Sequence, residues 1–263
     1  MRKIILLLAL LSVIVFITSC QKAEEVTVEK YFQAIAHKDT DTMSTLAYVP
    51  KRVEYKAFEV LSIDEPVTKP LELPVLRKKL AEFEREKAAL VAAVVEKTEE
   101  YEDLDFELEE TRRSSKKAEL RKKIKELKAE VEEETLKVKN SQLNIGKTKK
   151  EIDREEALIA LSTGFKENLG MFTGETLTNK VTVKVTLQND EAKDYVFLLR
   201  KDTLKLEDKE RPGRLIIVKF MTVDEYEKAL IEKDAAVEEE TEEVSEAEPA
   251  TEGKSEEEKT EGE

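Results

Sequence analysis

The chain has little of the residue types that build covalent or metal-dependent sites: of 263 residues, one is cysteine, one is histidine and seven are glycine. A single cysteine cannot form a disulfide within the chain, so the fold must rest on its core and helices. One histidine and one cysteine cannot complete a transition-metal site. The only phosphate-loop-like fragment, Gly146-Lys147-Thr148, has Ser141 where that motif needs glycine. The sequence therefore predicts no cofactor, no metal site and no catalytic centre.

The single histidine lies in a short polar stretch, HKDTD at residues 37–41. Histidine with two aspartates is a combination found in metal and acid–base sites. Here the stretch separates two predicted helices, where Asp and Thr side chains cap the helix that follows. We interpret it as a capping turn, with Asp39 or Asp41 capping a helix that begins near Thr42. No Ser–His–Asp order and no paired-carboxylate spacing accompanies it, and the protein is predicted not to be an enzyme.

The N-terminal apolar run is too short to span a bilayer. Arg2 and Lys3 precede residues 4–17, which are nearly all apolar, whereas a membrane-spanning helix needs about 20 such residues. A charged start and a short apolar stretch predict a signal peptide over residues 1–19. The sequence Ile17-Thr18-Ser19-Cys20 resembles the bacterial lipobox. In that family of signals, cleavage occurs before the cysteine, whose sulfur carries a diacylglyceryl group. The resemblance implies a lipoprotein lipidated at Cys20; an uncleaved membrane anchor is the alternative.

A lipid anchor would place the protein at a membrane surface of the cell envelope, facing the periplasm or the exterior, because two or more acyl chains hold a protein there stably. Gln21 follows the cysteine. In Gram-negative lipoproteins an aspartate at that position favours retention in the inner membrane, so its absence favours the outer membrane. Residues 20–27 are predicted to be the lipidated N-terminus and a linker, with a reach of about 25 Å if residues 21–27 are extended.

Most of the negative charge lies at the C-terminus. The whole chain has a formal net charge of -14, and residues 232–263 contain 15 acidic and 3 basic residues. Such a segment cannot bury enough apolar surface to fold, so it is predicted to be a disordered acidic tail that acts as a solvating brush. Capture of cations or of a basic partner is the alternative. Nucleic-acid binding is not expected, because the chain has no basic domain and no aromatic patch for base stacking.

Residues 73–163 are rich in charge, and their apolar positions recur at alternating spacings of four and three. One series runs from Leu76 to Leu108 and a second from Leu120 to Ile159, which predicts two coiled-coil helices of about 40 residues and about 60 Å each. The two series are out of phase across the polar stretch TRRSSKK. We therefore predict an antiparallel hairpin. Its tip, and the predicted partner-binding surface, comprises Arg112, Arg113, Ser114 and Ser115. A continuous helix in a parallel oligomer is the alternative, and no oligomeric state is predicted.

The flanking segments, residues 28–72 and 164–231, together predict one α+β domain: two helices followed by an antiparallel sheet. The stretches VEKYFQAIAHKDTDTMSTLA, DYVFLLRKD and GRLIIVKF resemble nuclear-transport-factor-2-like, or cystatin-like, lipoproteins. The resemblance covers these flanking segments only and implies a curved sheet packed on helices, with a cone-shaped pocket. The inserted hairpin, which splits the domain, departs from the plain fold of that family. Six aromatic residues could line that pocket, although aromatic residues at such spacing more often fill a core. They are Tyr31, Phe32, Tyr55, Phe58, Tyr195 and Phe197.

The predicted function is therefore that of a non-enzymatic envelope lipoprotein, an interaction or scaffold module that uses its hairpin to bind an unidentified envelope protein. One alternative is a domain that binds, or acts on, a small ligand in the cone-shaped pocket. Another is a periplasmic adaptor of an efflux pump, which also often carries an inserted helical hairpin. The adaptor is disfavoured because the flanking segments lack the Gly-x-Val signature of lipoyl half-motifs.

Overall fold

The computed structural model describes residues 22–207 and 209–232. The predicted signal peptide, Cys20 and the acidic tail from residue 233 onward lie outside the described residues. Within them the fold is α+β, with three short helices, two long helices and an antiparallel sheet. In chain order the elements are α1 (Ala23–Ala36), α2 (Thr40–Leu46), β1 (Tyr55–Ile63), β2 (Val67–Pro70), α3 (Leu73–Glu110), α4 (Ser114–Thr163), a 3-10 turn (Leu169–Met171), β3 (Thr173–Leu187), β4 (Ala192–Leu206), β5 (Lys209–Pro212) and β6 (Ile216–Thr222). Residues 223–232 are helical.

The long hairpin of β3 and β4 forms the centre of the sheet. Its register runs without interruption from Thr173 opposite Lys205 to Thr186 opposite Ala192. Both β1 and β2 pair with β3, while β5 and β6 pair with β4, and every one of these pairs is antiparallel. The sheet is therefore four strands wide, with two shorter strands following one another along each side of the hairpin.

The two faces of the sheet bury different helices. Val181, Val183 and Val185 alternate along β3 and pack with α1 and α2 in the larger core. Leu204 of β4 belongs to a smaller core with Ile152 and Ile159 of α4 and with the start of α3. Successive side chains of a strand point to opposite faces, so odd-numbered residues such as Val181 and Phe197 lie on the face that packs with α1, and even-numbered residues such as Arg200 and Leu204 lie on the face toward α4.

Several element boundaries differ from those expected from the sequence. Helix α1 begins at Ala23, so residues 23–27 are helical where a linker was expected, and Thr27 already lies in the buried face. The strands β2 and β5 were not predicted. The sequence alternates over residues 181–187 and predicts a return strand at residues 195–199, but β3 and β4 extend well beyond these segments. The additional residues are mostly polar, so no apolar alternation indicated them. Strand β1 contains two register shifts, one after Tyr55 and one after Val60, which allow the unevenly spaced Tyr55, Phe58, Val60 and Ile63 all to pack against the core.

The two long helices pack against each other in antiparallel orientation. Lys149 pairs with Glu84 near the sheet at 3.1 Å, Lys97 pairs with Glu130 farther out at 2.9 Å, and Lys116 pairs with Glu107 next to the tip. The apolar seam predicted by the heptads is the buried side of α4; its buried members include Leu120, Leu127, Ile145, Ile152 and Ile159. Helix α4 has 50 residues against 38 in α3. None of the helices within the described residues is long and apolar enough to cross a membrane.

Candidate functional site

A buried cluster of charged side chains joins the base of the helical hairpin to the sheet. Arg200 of β4 donates through Nη1 and Nη2 to Oε1 and Oε2 of Glu155 in α4, at 2.9 and 2.7 Å. Its Nε donates to Oδ1 of Asp202, also in β4, at 2.9 Å. The side chains of Arg200, Glu155 and Asp202 are 8%, 9% and 0% exposed. Each guanidinium nitrogen therefore meets a carboxylate away from solvent, an arrangement that favours one orientation of α4 on the sheet.

Hydroxyl groups complete the cluster. The Thr176 hydroxyl donates to Oδ1 of Asp202 at 2.7 Å. The Ser162 Oγ accepts the backbone N–H of Asp202 at 3.0 Å and donates to the carbonyl oxygen of Arg214 at 2.9 Å. The backbone is so close here that a Cβ on Gly213 would lie 2.5 Å from the Ser162 Oγ. The last turn of α4 is thus hydrogen-bonded to β4 and to the turn before β6.

The electrostatics of this cluster are set by burial and by its unequal charges. Burial raises the pKa of Asp202. Burial alone would lower the pKa of Arg200, but the hydrogen bonds that it donates to Glu155 and the negative charge of Asp202 outweigh this effect and raise that pKa. Two carboxylates share one guanidinium, so the cluster depends on Arg200 for its neutralisation. These groups join the base of the hairpin to the sheet.

A cavity of about 460 Å³ opens beside the cluster, between α4, the β1–β2 connection and Tyr226. Glu155 and Arg200 form part of its wall but bond to each other. Another pair of wall residues, Lys180 and Asp64, forms an ion pair at 2.9 Å. The wall also includes Asn179, whose side-chain Oδ1 is buried and has no hydrogen-bond partner among the described residues.

The predicted tip of the hairpin is fully exposed. Helix α3 ends at Glu110 and α4 begins at Ser114, so residues 111–113 form the connection. The side chains of Arg112, Arg113, Ser114 and Ser115 all face solvent. The structure thus brings these four predicted site residues together on one accessible end of the hairpin.

The tip carries positive charge in a protein that is negative as a whole. Residues 107–125 contain eight basic and four acidic residues. The acidic ones include Glu107, which is neutralised by its ion pair with Lys116. Several cations here, Arg112, Arg113 and Arg121 among them, extend into solvent. The first turn of α4 contains no acidic residue.

The six aromatic residues predicted as pocket-lining pack mainly against one another. Phe32 stacks on Phe58 with ring centroids 4.3 Å apart, and Tyr31 meets the edge of Phe197 at 6.0 Å. Tyr195 lies 5.0 Å from Phe220, which continues the cluster. Tyr31, Phe32, Phe197 and Tyr195 are buried, while Tyr55 and Phe58 are half-buried. The Tyr31 hydroxyl bonds to the backbone of Lys51, the Tyr55 hydroxyl donates to the carbonyl of Phe32, and burial raises the pKa of Tyr31.

Of these six residues, Tyr55 also borders an open cavity of about 760 Å³ at the end of α1. Ile35 and Val53 supply further apolar wall, and Lys38 and Arg52 stand at its edge. The cavity is thus amphipathic, with two cations, the carboxylate of Glu54 and the amide of Gln188 beside an apolar surface.

The HKDTD stretch forms the turn between α1 and α2. His37 caps the end of α1, and Asp39 caps α2 by accepting hydrogen bonds from the backbone N–H and the hydroxyl of Thr42, at 3.0 and 2.6 Å. The bond from the Thr42 hydroxyl is the main cause of the lowered pKa of Asp39. Across residues 22–207 and 209–232, no three His, Cys, Asp or Glu side chains come together in a way that could hold a metal ion.

Sequence reasoning did not single out Arg200, Asp202 or Glu155 as parts of a site. A signal was present: a glutamate at a core position of a heptad, and an Arg and an Asp two residues apart in a strand. Only the crossing of α4 over β4 turns these three into one cluster.

Comparison with protein-family models, with curated proteins and with solved structures gives no match to this chain.

Proposed function

We propose that the protein is a lipid-anchored, non-enzymatic envelope protein whose helical hairpin docks onto an acidic partner through its tip. The observation that carries this proposal is the exposed positive charge at the start of α4. The residues that would bind are Arg112, Arg113 and Arg121, with Ser114 and Ser115 beside them.

The positive charge at the start of α4 does not stabilise the helix. The N-terminus of a helix carries a partial positive charge, so acidic residues stabilise it and cations destabilise it. Helix α4 has the opposite pattern: Lys116 and Lys117 lie in its first turn, two arginines precede it, and no acidic residue compensates within that turn. An arrangement that weakens the helix end fits a surface that recognises an anion.

The buried cluster supports a role for the hairpin as a rigid arm. Glu155 and Ser162 fix the base of α4 to the sheet. From Glu155 to Ser114 the helix rises about 60 Å, at 1.5 Å per residue. A binding surface at such a distance from the sheet reaches a partner that the globular part cannot touch.

The anchoring part of the proposal rests on the lipobox resemblance at Cys20. Because α1 begins at Ala23, the chain between Cys20 and the helix spans at most about 11 Å. A lipidated protein would therefore keep its sheet and short helices next to the headgroups. This is a closer placement than a linker through residue 27 would give.

The tip is tested by charge reversal in the full chain. Arg112, Arg113 and Arg121 are changed together to Glu, and the protein is crosslinked in intact cells before recovery. The matched control changes three exposed lysines that lie farther along α4, Lys139, Lys147 and Lys150, to Glu. We expect the tip variant to lose most crosslinked partner and the control to keep it, with equal helix content by circular dichroism. Equal recovery from both variants would refute the tip as the docking site.

The cavity beside Tyr55 supports a second candidate function, binding of a small amphipathic anion. Its apolar wall fits a short hydrocarbon chain, and the cations Lys38 and Arg52 outnumber the single carboxylate of Glu54, which favours an anionic head group. Hexanoate titrated into the protein would then shift the methyl resonances of Val53 and Ile35 in a saturable way. Methyl shifts that stay linear, or absent, over the whole titration would remove this candidate.

A further inference from the structure

The middle of α3 is apolar on all sides. Residues 88–95 read AALVAAVV and contain no charged or polar side chain, whereas 18 of the other 30 residues of this helix are charged. A helix in a two-stranded hairpin needs apolar residues only along the seam that faces its partner. The uncharged segment therefore provides more apolar surface than the hairpin can use.

One side of this segment is covered and the other is bare. Leu90, Ala93 and Val94 are partly buried against α4. On the other side, Val91 and Val95 are 41% and 51% exposed, and the three alanines between and before them also face solvent. A helix that is apolar all round is normally buried all round. In the part of the chain that the structure describes, no element covers this second side.

The bare side continues into a groove between the two long helices. The groove has a volume of about 560 Å³ and a floor that includes Ala88, Val91 and Ile145. Its rim is polar but already bonded: Lys149 pairs with Glu84, and the Lys87 ammonium donates to Gln142. The apolar floor is left without a partner, and its small side chains allow another helix to approach closely.

The charges that flank the segment identify the occupant. Arg85 and Glu99 each lie seven residues from Ala92, which is two helical turns or about 10.5 Å on either side along the same face. Neither residue is seen in an ion pair within residues 22–207 and 209–232. Around a two-fold axis at Ala92, an antiparallel second α3 would place each Arg85 opposite the other copy's Glu99. Parallel pairing would set arginine beside arginine and glutamate beside glutamate.

We propose that two copies of this chain pair through residues 88–95 of α3 in antiparallel orientation, with Arg85 of each copy facing Glu99 of the other. The interface is isologous, because each copy contributes the same surface. Because the interface is small, confinement of both copies to one membrane favours the pairing. This confinement rests on the lipid anchor of the proposed function. Two copies anchored in one membrane can pair in this way only with their hairpins lying along the membrane plane.

Cysteine crosslinking in intact cells tests the pairing. The full chain has a single cysteine, Cys20, so an Ala92→Cys variant can be read against an almost empty background. A short bismaleimide should yield a covalent dimer of this variant, because the two-fold axis brings the introduced cysteines together. Leu136→Cys is the matched control: Leu136 is 59% exposed on the other long helix and belongs to no proposed contact. We expect the dimer to be several-fold more abundant for Ala92→Cys than for Leu136→Cys or for the unchanged chain.

Charge reversal separates a second copy from a foreign partner. In the Ala92→Cys background, Arg85→Glu alone and Glu99→Arg alone should each lower the dimer yield several-fold, and the two together should restore it. No dimer at residue 92, no restoration in the double variant, or crosslinking of residue 92 to a different protein would each overturn the proposal. The tip variant should crosslink normally at residue 92, so the tip and the dimer can fail independently.

Discussion

Replacing Arg200 with methionine is the sharpest test of how the hairpin is attached to the sheet. Methionine keeps most of the apolar stem and removes the guanidinium that neutralises both Glu155 and Asp202. The two carboxylates then remain buried, at 9% and 0% side-chain exposure, with no cation between them. Asp202 keeps its hydrogen bond from the Thr176 hydroxyl at 2.7 Å, whereas Glu155 loses both of its bonds to Arg200.

The expected cost follows from the burial of this pair. Removing one partner of a buried ion pair costs about 3–5 kcal/mol, because the charge left behind is neither solvated nor neutralised. A domain is stable by about 5–15 kcal/mol in total, so the variant should fold but lose a large share of its stability. The matched control is Lys205→Met on the same strand. Lys205 is 36% exposed and pairs with Glu175 and Glu210, so the control should cost at most about 1 kcal/mol.

The assay is urea unfolding followed by two signals. Far-ultraviolet circular dichroism reports mainly the long helices, and near-ultraviolet circular dichroism reports the packed tyrosines of the sheet core. If the buried cluster couples the hairpin to the sheet, the two transitions coincide in the unchanged protein and separate in Arg200→Met. Losses of similar size for Arg200→Met and Lys205→Met, with coincident transitions in both, would refute the reasoning.

The pH dependence of the same variant gives a second readout. Burial already holds the pKa of Asp202 above its ordinary 3.8, and the charge of Arg200 acts to lower it. Without Arg200 that pKa rises further. A raised pKa means that the folded state favours the protonated carboxyl; this contribution is present below the unfolded-state pKa and is lost as pH rises through the folded-state pKa. The deficit of Arg200→Met should therefore be larger near neutral pH than at a pH of about 4.

Three further outcomes are expected. Thr42→Val should raise the lowered pKa of Asp39 toward 3.8 in a carboxyl NMR titration, because the Thr42 hydroxyl is the main cause of the lowering. The cap contributes stability above pH 3.8 and loses it as pH falls through the lowered pKa. An unchanged pKa of Asp39 in the variant would contradict this assignment. Phe32→Ala removes a fully buried ring and should lower the free energy of unfolding by about 3–5 kcal/mol. Phe106 is 64% exposed, so Phe106→Ala should change that free energy by no more than about 0.5 kcal/mol. Comparable losses in the two variants would argue against the assigned core. Gly146→Ala should raise the free energy of unfolding by about 0.5–1 kcal/mol, because Gly146 lies inside α4 and an added Cβ meets nothing within 4 Å. A loss of thermal stability in this variant would show that the glycine has a packing role.

The periodic parts of the chain were predictable because their pattern is local. Heptad spacing over residues 73–163 indicated two long helices, and the polar stretch at residues 111–117 indicated where the chain reverses. Alternation from Val181 to Leu187 predicted a strand in the same way. In each case the signal is contained within one element and needs no knowledge of its neighbours.

The polar half of the sheet was harder to predict. Residues 173–180 carry Thr, Glu and Asn where an alternating apolar pattern would be expected of a strand. They form a strand because β2 and β4 pair with them on both sides. Strand β5 is likewise defined by its pairing with residues 203–206 of β4.

The candidate sites divide along the same line. Arg112 and Arg113 could be assigned to the hairpin tip from the sequence, because a helix reversal is a local event. The Glu155–Arg200–Asp202 cluster joins Glu155 to a residue 45 positions later in the chain, and no pattern in either segment indicates that the two are in contact.

The sequence by itself determined the long helices, their reversal, the acidic C-terminus and the resemblance to a lipidation signal at Cys20, because periodicity, composition and short motifs act over neighbouring residues. The tertiary structure alone decided which face of the sheet each helix covers, that the predicted pocket aromatics pack with one another, and that one side of residues 88–95 remains bare. Those properties depend on which distant surfaces exclude water together, and packing is decided only when all the elements meet.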